Sequence, residues 1–221
     1  MSTENSIIKE VDNNSLLDAV KLLASGEVVA FPTETVYGLG ANAYDALAVA
    51  KLYDVKGRGF DKPITLMLHS VADIEKYVVV DEVNKEFAYD ELNKGNTIVF
   101  KLKDNNLKHL SNATSAKITT LGIRIPQNKE ALDLLKLSAG GLGAQEAKGA
   151  GATSGVANST AAGFPLAVTS ANLSGSASKS IAADVYKEIG DKVPLILKSD
   201  ICRGIASRVI DISSGEILIR R

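Results

Sequence analysis

The sequence has little of the residue types that crosslink a chain or bind metals. Its 221 residues contain one cysteine, two histidines and no tryptophan. Because Cys202 has no second cysteine to pair with, an internal disulfide is excluded, which favours a reducing, cytoplasmic compartment. His69 and His109 are far apart, and no second histidine or cysteine stands near either of them. We therefore predict no metal site built from side chains.

Long apolar segments are also absent, and the formal net charge is only −1. No apolar run approaches the roughly 20 residues needed to cross a bilayer, the first residues are polar, and neither end carries a lipidation signal. The 26 acidic and 25 basic residues nearly cancel, and aromatic residues make up 5% of the chain. A membrane role is therefore not expected, and any site for an anion must be local.

The chain does have enough apolar residues for a core. With 45% hydrophobic residues, it is predicted to form a single domain over residues 1–221. Helical periodicity and strand-like runs alternate, which is typical of an α/β fold. We predict that Ser15 caps the first helix and that Gly26 ends it. Further helices are predicted at residues 45–55, 71–77, 81–92, 129–137 and 181–189. Strands are predicted at residues 28–31, 64–67, 97–102, 121–125, 166–169, 195–197, 208–212 and 217–220.

One segment interrupts this alternation. Residues Ala139 to Gly163 include 7 glycines and 8 alanines and have no sustained apolar period. Loops of this length in compact domains are either lids or excursions without a fixed shape, and the composition favours the second. We predict a long loop or insertion here.

A hydroxyl-rich motif follows the first predicted strand. The sequence PTETVYGLG at residues 32–40 carries Thr33, Thr35 and Tyr37. Their hydroxyls can donate and accept hydrogen bonds, and the two glycines allow a ligand to approach the backbone closely. The motif suits a small polar substrate such as an amino acid, although threonines that serve only their own turns would give the same pattern.

A basic motif follows the second predicted helix. Lys56, Arg58 and Lys62 place three cations within seven residues, and Gly57 removes the side chain that would crowd them. A planar guanidinium and mobile ammonium groups suit phosphate oxygens. A solvated basic loop is the alternative.

A third motif, TSANLSG at residues 169–175, follows an apolar strand. Its hydroxyls and its amide, on Ser170 and Asn172, and Ser178 just beyond, can bind ribose or phosphate oxygens without adding charge. Neither histidine sits in such a cluster, so we do not interpret these serines as nucleophiles. The chain also lacks the GxxxxGK[ST] phosphate loop.

Taken together, PTETVYGLGANA, KGR with KPI, RIP and TSANLSG, in this order and spacing, resemble the YrdC-like threonylcarbamoyl-AMP synthases. The resemblance extends from roughly Val20 to Asp211 and is to the short, single-domain form. It implies a twisted mixed sheet flanked by helices, with an open concave substrate cavity. It also implies a nucleotidyltransferase that makes threonylcarbamoyl-AMP and pyrophosphate from L-threonine, bicarbonate and ATP, with Mg²⁺ accompanying the ATP. The product would pass to a tRNA threonylcarbamoyl transferase complex for modification of tRNA, and weak binding of tRNA itself is compatible with this.

The resemblance also assigns roles to residues of this sequence. The signature residues expected to carry catalysis are Lys56, Arg58, Ser170 and Asn172. The residues expected to bind threonine are Thr33, Thr35, Tyr37, Arg124 and Ser207, with Arg124 on the carboxylate. The residues expected to bind ATP are Lys56, Arg58, Lys62, Thr120, Ser170, Asn172, Ser178 and Arg220.

The sequence departs from the family pattern in several places. Residues 92–97 replace a tryptophan-proline-glycine-proline run, residues 206–208 read Ala-Ser-Arg instead of Glu-Ser-Thr, and Met67 stands where some members have a histidine. Two alternatives stay open. One is a non-catalytic RNA-binding YrdC-like module, for which the chain has few aromatic residues. The other is a carbamoyl-transferring domain of the hydrogenase-maturation type, which normally accompanies zinc-binding cysteines.

Overall fold

The computed structural model describes residues 7–57, 59, 64–103, 107, 110, 120–140, 163–199, 202 and 206–220, without the side chain of Arg220. Eleven strands of these residues form one sheet. The strands are β1 (Ile7–Glu10), β2 (Val29–Phe31), β3 (Gly38–Asn42), β4 (Thr65–Met67), β5 (Val78–Val79), β6 (Thr97–Leu102), β7 (Thr120–Arg124), β8 (Leu166–Ser170), β9 (Leu195–Lys198), β10 (Val209–Asp211) and β11 (Leu218–Arg220).

The sheet is mixed. Its order is β1-β9-β2-β3-β8-β4-β7-β6-β10-β11, with β5 paired to β6 off this path. The pairs β1/β9, β2/β9, β4/β7 and β6/β10 are parallel, and the remaining pairs are antiparallel. The predicted architecture, a twisted mixed sheet flanked by helices, is confirmed.

Five α-helices and one 3-10 helix accompany the sheet in the described part of the chain. The α-helices are α1 (Asn13–Ala24), α2 (Ala46–Lys56), α3 (Lys85–Asn93), α4 (Lys129–Gly140) and α5 (Ala182–Ile189), and the 3-10 helix is Val71–Lys76. None of these helices has the length and apolarity needed to cross a membrane.

The start of α1 corrects the sequence prediction. Asp12, not Ser15, is the N-cap: its side chain accepts a hydrogen bond from the Ser15 backbone N–H at 2.7 Å. Ser15 Oγ in turn accepts from the Asp12 backbone N–H at 2.9 Å. Ser15 therefore sits three residues into the helix and completes a reciprocal capping box, in which each side chain satisfies one backbone N–H that the helix leaves free. The helix ends before Gly26, which has a φ of 83°.

The core lies on both faces of the sheet because strand residues alternate between faces. Val29 and Phe31 of β2 pack on one face with α1 and α4, whereas Ala30 packs on the other face with α2, α3 and α5. Strand β8 alternates in the same way: Leu166 and Val168 pack on the face with α1 and α4, and Ala167 packs on the other face. Only part of the first face is covered by α1 and α4, and the remainder carries the candidate site.

Helix α4 extends two residues into the segment that was predicted as a long loop. Ala139 and Gly140 belong to the last turn of α4, and the Phe164 backbone N–H donates to the Ser138 carbonyl at 3.0 Å. Residues 141–162 lie outside the described residues. The composition obscured the helix end because alanine is a good helix former and also a common loop residue.

Candidate functional site

A cavity of about 230 Å³ lies over one face of the sheet. Its floor contains a row of register partners in four adjacent strands: Met67 of β4, Arg124 of β7, Thr97 of β6 and Val209 of β10. Residues directly opposite each other on paired strands share a face of the sheet. The Arg124 guanidinium is therefore the one cation in this row, beside the hydroxyl of Thr97 and the apolar side chains of Met67 and Val209. The remaining lining residues are Thr33, Thr35, Val36, Tyr37, Gly38, Thr65, Val168, Thr169, Ser170, Ser178, Ala206 and Ser207.

The cavity lies across one face of several strands and not only at the end of the sheet where parallel strands would all have their carboxyl ends. Strand β8 runs antiparallel to β4, and β6 runs antiparallel to β7. The carboxyl ends of neighbouring strands therefore fall at opposite edges, and Ser170 and Arg124, each the last residue of its strand, reach the cavity from opposite sides. This differs from an open parallel sheet, in which ligands collect where all strands end.

Arg124 is the main charged group of the cavity. It is 7% exposed, and its Nη2 donates to Glu34 Oε1 at 2.5 Å and to Thr35 Oγ1 at 2.8 Å. Its Nε is buried and has no hydrogen-bond acceptor among the described residues. Nη1 has no acceptor among the described residues either, and because the side chain lines the cavity, these N–H groups are suited to an anionic ligand such as a carboxylate.

The two threonines of the motif form a directed chain of hydrogen bonds. Thr33 Oγ1 donates to the Val36 carbonyl at 2.7 Å, so its single proton is used. Since Thr33 and Thr35 Oγ1 lie 2.9 Å apart, the proton between them belongs to Thr35. Thr35 therefore donates to Thr33 and accepts from Arg124, which leaves it one further lone pair for a substrate N–H or O–H.

Tyr37 lines the cavity, but its hydroxyl is engaged elsewhere. The hydroxyl donates to the Ser199 carbonyl and accepts from the Ser199 N–H, both at 3.2 Å. The Tyr37 N–H donates to the Lys179 carbonyl, and its own carbonyl accepts from Ala171 N–H. Tyr37 thus joins the PTETVYG motif to the segment after β8.

The glycines of β3 serve packing as well as access. A Cβ at Gly40 would lie 2.9 Å from the Phe31 ring, and one at Gly38 would lie 3.1 Å from Val168 Cγ1. The ring of Phe31 therefore occupies the space that side chains on β3 would need. This differs from the predicted role of the glycines in ligand approach, although Gly38 also lines the cavity.

Lys56 lies behind the cavity wall. It ends α2, is 4% exposed, and its Nζ has four oxygen acceptors on Ser170 and Asn172. These are the Ser170 carbonyl at 2.6 Å, the Asn172 carbonyl at 2.9 Å, and Ser170 Oγ and Asn172 Oδ1 at 3.2 Å each. The ammonium thus fixes the start of the TSANLSG segment, from which Ser170 reaches the cavity.

Glu188 of α5 fixes the rest of that segment. It pairs with Lys179, accepts from Ser176 Oγ, and accepts from the Leu173 backbone N–H at 2.6 Å. The hydrogen bonds from Lys179 and Ser176 lower the pKa of Glu188 to about 2, against an ordinary value of 4.5. Sequence analysis missed Glu188 because a single acid on an amphipathic helix gives no signal of the loop it contacts.

This pKa predicts a pH dependence of stability. A carboxylate whose pKa is lowered on folding stabilises the fold fully above pH 4.5, and that contribution is lost as the pH falls toward 2. We expect Glu188→Gln to unfold at a lower temperature than the wild type at pH 7, with the difference shrinking as the pH falls through this window. The control is Glu10→Gln, whose exposed ion pair with Lys198 should matter little. A Glu188→Gln difference that did not vary with pH would contradict the assignment.

The structure brings together seven of the predicted site residues around one cavity. They are Thr33, Thr35, Tyr37, Arg124, Ser170, Ser178 and Ser207. Lys56 and Asn172 lie directly behind Ser170, and Thr120 starts β7, opposite Lys101, and is not one of the lining residues. Arg220 of β11 is the register partner of Val209. Arg58 and Lys62 lie outside the described residues.

Two further groups bear on chemistry at the site. Burial raises the pKa of the Cys202 thiol, so this cysteine is protonated and poorly nucleophilic at neutral pH. Within the described ranges, no group of three or more His, Cys, Asp or Glu side chains could hold a metal ion.

Comparison with known proteins places this geometry in a family. A protein named threonylcarbamoyl-AMP synthase from Mus musculus is 31% identical over 207 residues, 90% of this chain and 63% of that protein. The protein of the same name from Bacillus subtilis is 31% identical over 203 residues, 87% of this chain and 50% of that protein. The chain thus spans about half to two thirds of the length of these curated relatives.

A solved structure is similar over almost the whole chain. Sua5 from P. abyssi complexed with L-threonine superposes with a TM-score of 0.73 and 25% identity, covering 98% of this chain and 56% of that one. The Sua5/YciO/YrdC family profile, which carries the description "Telomere recombination", matches residues 21–221. This chain therefore belongs to the Sua5/YciO/YrdC family.

Proposed function

We propose that this chain is an L-threonylcarbamoyladenylate synthase. It would form threonylcarbamoyl-AMP and pyrophosphate from L-threonine, bicarbonate and ATP, which makes it a nucleotidyltransferase. Support comes from the relatives named threonylcarbamoyl-AMP synthase and from the Sua5 structure that holds L-threonine.

The observation that carries the proposal is the composition of one cavity. All five residues predicted to bind threonine line it, together with Ser170 and Ser178 from the predicted nucleotide set. Arg124 offers the amino acid carboxylate the N–H groups of Nη1 and Nε, which have no acceptor among the described residues, and Thr35 offers a lone pair for the ammonium or hydroxyl group. An amino acid and a phosphate group would therefore meet in the same space.

The size of the cavity limits how much of the two substrates it can hold. At about 230 Å³ it is smaller than the roughly 300–1,000 Å³ of sites that enclose drug-sized ligands. It suits an amino acid and one phosphate group, so most of ATP must extend past Ser170 and Ser178. Arg58 and Lys62 follow α2 in the chain and would supply charge for the phosphates there.

The chemistry requires no protein nucleophile. The threonine amine and bicarbonate combine to a carbamate with loss of water, and a carbamate oxygen attacks the α-phosphorus while pyrophosphate leaves. Such a reaction depends on alignment and on stabilisation of developing negative charge. Mg²⁺ would come bound to the phosphates of ATP.

The wider setting follows from the product. A mixed anhydride of a carbamate and AMP is reactive, so it would be passed on to a tRNA threonylcarbamoyl transferase complex for modification of an adenosine to N6-threonylcarbamoyladenosine. This would take place in the cytoplasm, where ATP, threonine and tRNA are available. We propose that residues 1–221 form a single YrdC-like domain for the first step.

Pyrophosphate release tests the proposal. The purified chain is incubated with ATP and Mg²⁺, and threonine and bicarbonate are left out in turn. We expect release only when both are present. Release that does not depend on threonine would contradict the proposal, and RNA affinity that falls steeply with salt, without such release, would favour an RNA-binding module.

A further inference from the structure

Glu34 lies between the two threonines of the PTETVYG motif, and the structure places it at a junction of three segments. Its side chain is 18% exposed. Oε1 accepts from Arg124 Nη2 at 2.5 Å, and Oε2 accepts from the Gln127 backbone N–H at 2.9 Å. One carboxylate thus joins the loop after β2, the end of β7 and the segment that follows β7.

The turn between α3 and β6 is shaped around this carboxylate. Gly95 has a φ of 80°, and a Cβ there would lie 2.8 Å from Glu34 Oε1 and 3.1 Å from Gln127 Cγ. Glycine is therefore required both by the backbone conformation and by the closeness of Glu34. The turn lies in the segment where this chain departs from the family sequence, and Glu34 is what it packs against.

These contacts determine how Arg124 is presented. Both protons of Nη2 are engaged, one by Glu34 and one by Thr35, and a planar guanidinium held at two points has little freedom to rotate. Thr35 is itself fixed by its hydrogen bond to Thr33. The N–H groups without an acceptor among the described residues are that of Nε and the two of Nη1, on a side chain that lines the cavity.

We propose that Glu34 is a positioning residue for substrate binding. It holds the Arg124 guanidinium in the orientation that leaves the N–H groups of Nη1 and Nε to the substrate carboxylate. The inference rests on the proposed function, since the substrate carboxylate is that of threonine. It extends that function by giving a role to the acidic residue of the motif, whose charge alone would disfavour the substrate carboxylate.

Charge and orientation make opposite predictions for a neutral Glu34. If charge dominated, removing the negative group beside Arg124 would strengthen the binding of a carboxylate. If orientation dominates, the same change frees the guanidinium and weakens binding. We expect the second result because the contacts of Arg124 with Glu34 and Thr35 are short and largely buried, where geometry strongly affects hydrogen bonds.

The test compares Glu34→Gln with the wild type in the pyrophosphate assay and in equilibrium binding of L-threonine. We expect threonine to bind about tenfold more weakly, with the KM for ATP within about twofold of the wild type. L-threonine amide, which lacks the carboxylate, serves as the second ligand. The preference of the wild type for threonine over this amide should shrink in Glu34→Gln, which a general loss of packing would not produce.

Two further variants complete the design. Glu34→Asp keeps the charge but is one methylene too short to contact Arg124 and Gln127 together, so it should weaken threonine binding as Glu34→Gln does. It also provides the test if Glu34→Gln does not fold. Glu27→Gln is the matched control: it removes an ion pair with Lys51 at 2.7 Å, and neither residue lines the cavity. Its threonine and ATP parameters should match the wild type.

The outcomes distinguish a failure of the Glu34 role from a failure of the proposed function. Tighter or unchanged threonine binding in the Glu34 variants, or an equal loss for threonine and ATP, overturns the positioning role and leaves the proposed function intact. A wild type that neither binds threonine nor releases pyrophosphate in its presence overturns both.

Discussion

Replacing Arg124 with alanine is expected to weaken L-threonine binding by about a hundredfold while ATP binding changes by less than about threefold. Arg124 is the charged side chain on the cavity floor, and its Nε–H has no acceptor in the described part of the chain. The variant also leaves Glu34 without its partner, so the free energy of unfolding should fall by about 3 kcal/mol. Calorimetric titration with each substrate and thermal unfolding measure the two effects.

Two control variants separate binding from stability. Arg124→Lys keeps the charge without the planar fork and should bind threonine with intermediate affinity. The double variant Arg124→Ala/Glu34→Gln removes the unpaired carboxylate, so it should recover part of the stability but none of the binding. An Arg124→Ala protein that binds threonine as the wild type does would exclude Arg124 as the carboxylate ligand.

Replacing Lys56 with methionine is expected to lower the rate of pyrophosphate release by about a hundredfold, since a displacement of about 1 Å near the reacting groups can have an effect of this size. The ammonium has four oxygen acceptors on Ser170 and Asn172, and Ser170 lines the cavity. Methionine matches the length of the side chain but removes the donor of the buried Asn172 carbonyl and Oδ1, whereas the Ser170 carbonyl still accepts from the Asn172 N–H. We expect the free energy of unfolding to fall by about 2–4 kcal/mol.

The matched control for Lys56 is Lys51→Met, on the same helix. Lys51 pairs with Glu27 in an exposed position and does not line the cavity. Its removal should change stability by less than about 1 kcal/mol and leave the rate unaffected. Equal rates for the Lys56 and Lys51 variants would contradict the role of Lys56 in fixing the TSANLSG segment.

The sequence predicted the helices and most strands because their signals are local. Strand β6 has the predicted bounds, Thr97–Leu102, and α2 differs by a single residue at each end. Strand β3 was missed because its sequence, GLGAN, is typical of a loop. The glycines are compatible with a strand here because the Phe31 ring packs against them, and that partner is not visible in local sequence.

In the candidate site, too, the residues with local signals could be predicted and their distant partners could not. The family resemblance assigned Thr33, Thr35 and Arg124 to one site, and the structure brings them into contact. The environment of Lys56 could not be predicted, because its acceptors lie more than 110 residues later in the chain. Glu34 was passed over for a similar reason: only the pairing of distant strands shows that it contacts Arg124.

The most direct test of the central claim is mass spectrometry of the product formed from ¹³C-bicarbonate, L-threonine and MgATP by the purified chain. The account predicts a species with the mass of threonylcarbamoyl-AMP that carries the label, and its absence when threonine or ATP is left out. A folded protein that binds ATP and threonine but yields no labelled adenylate would contradict the proposed activity.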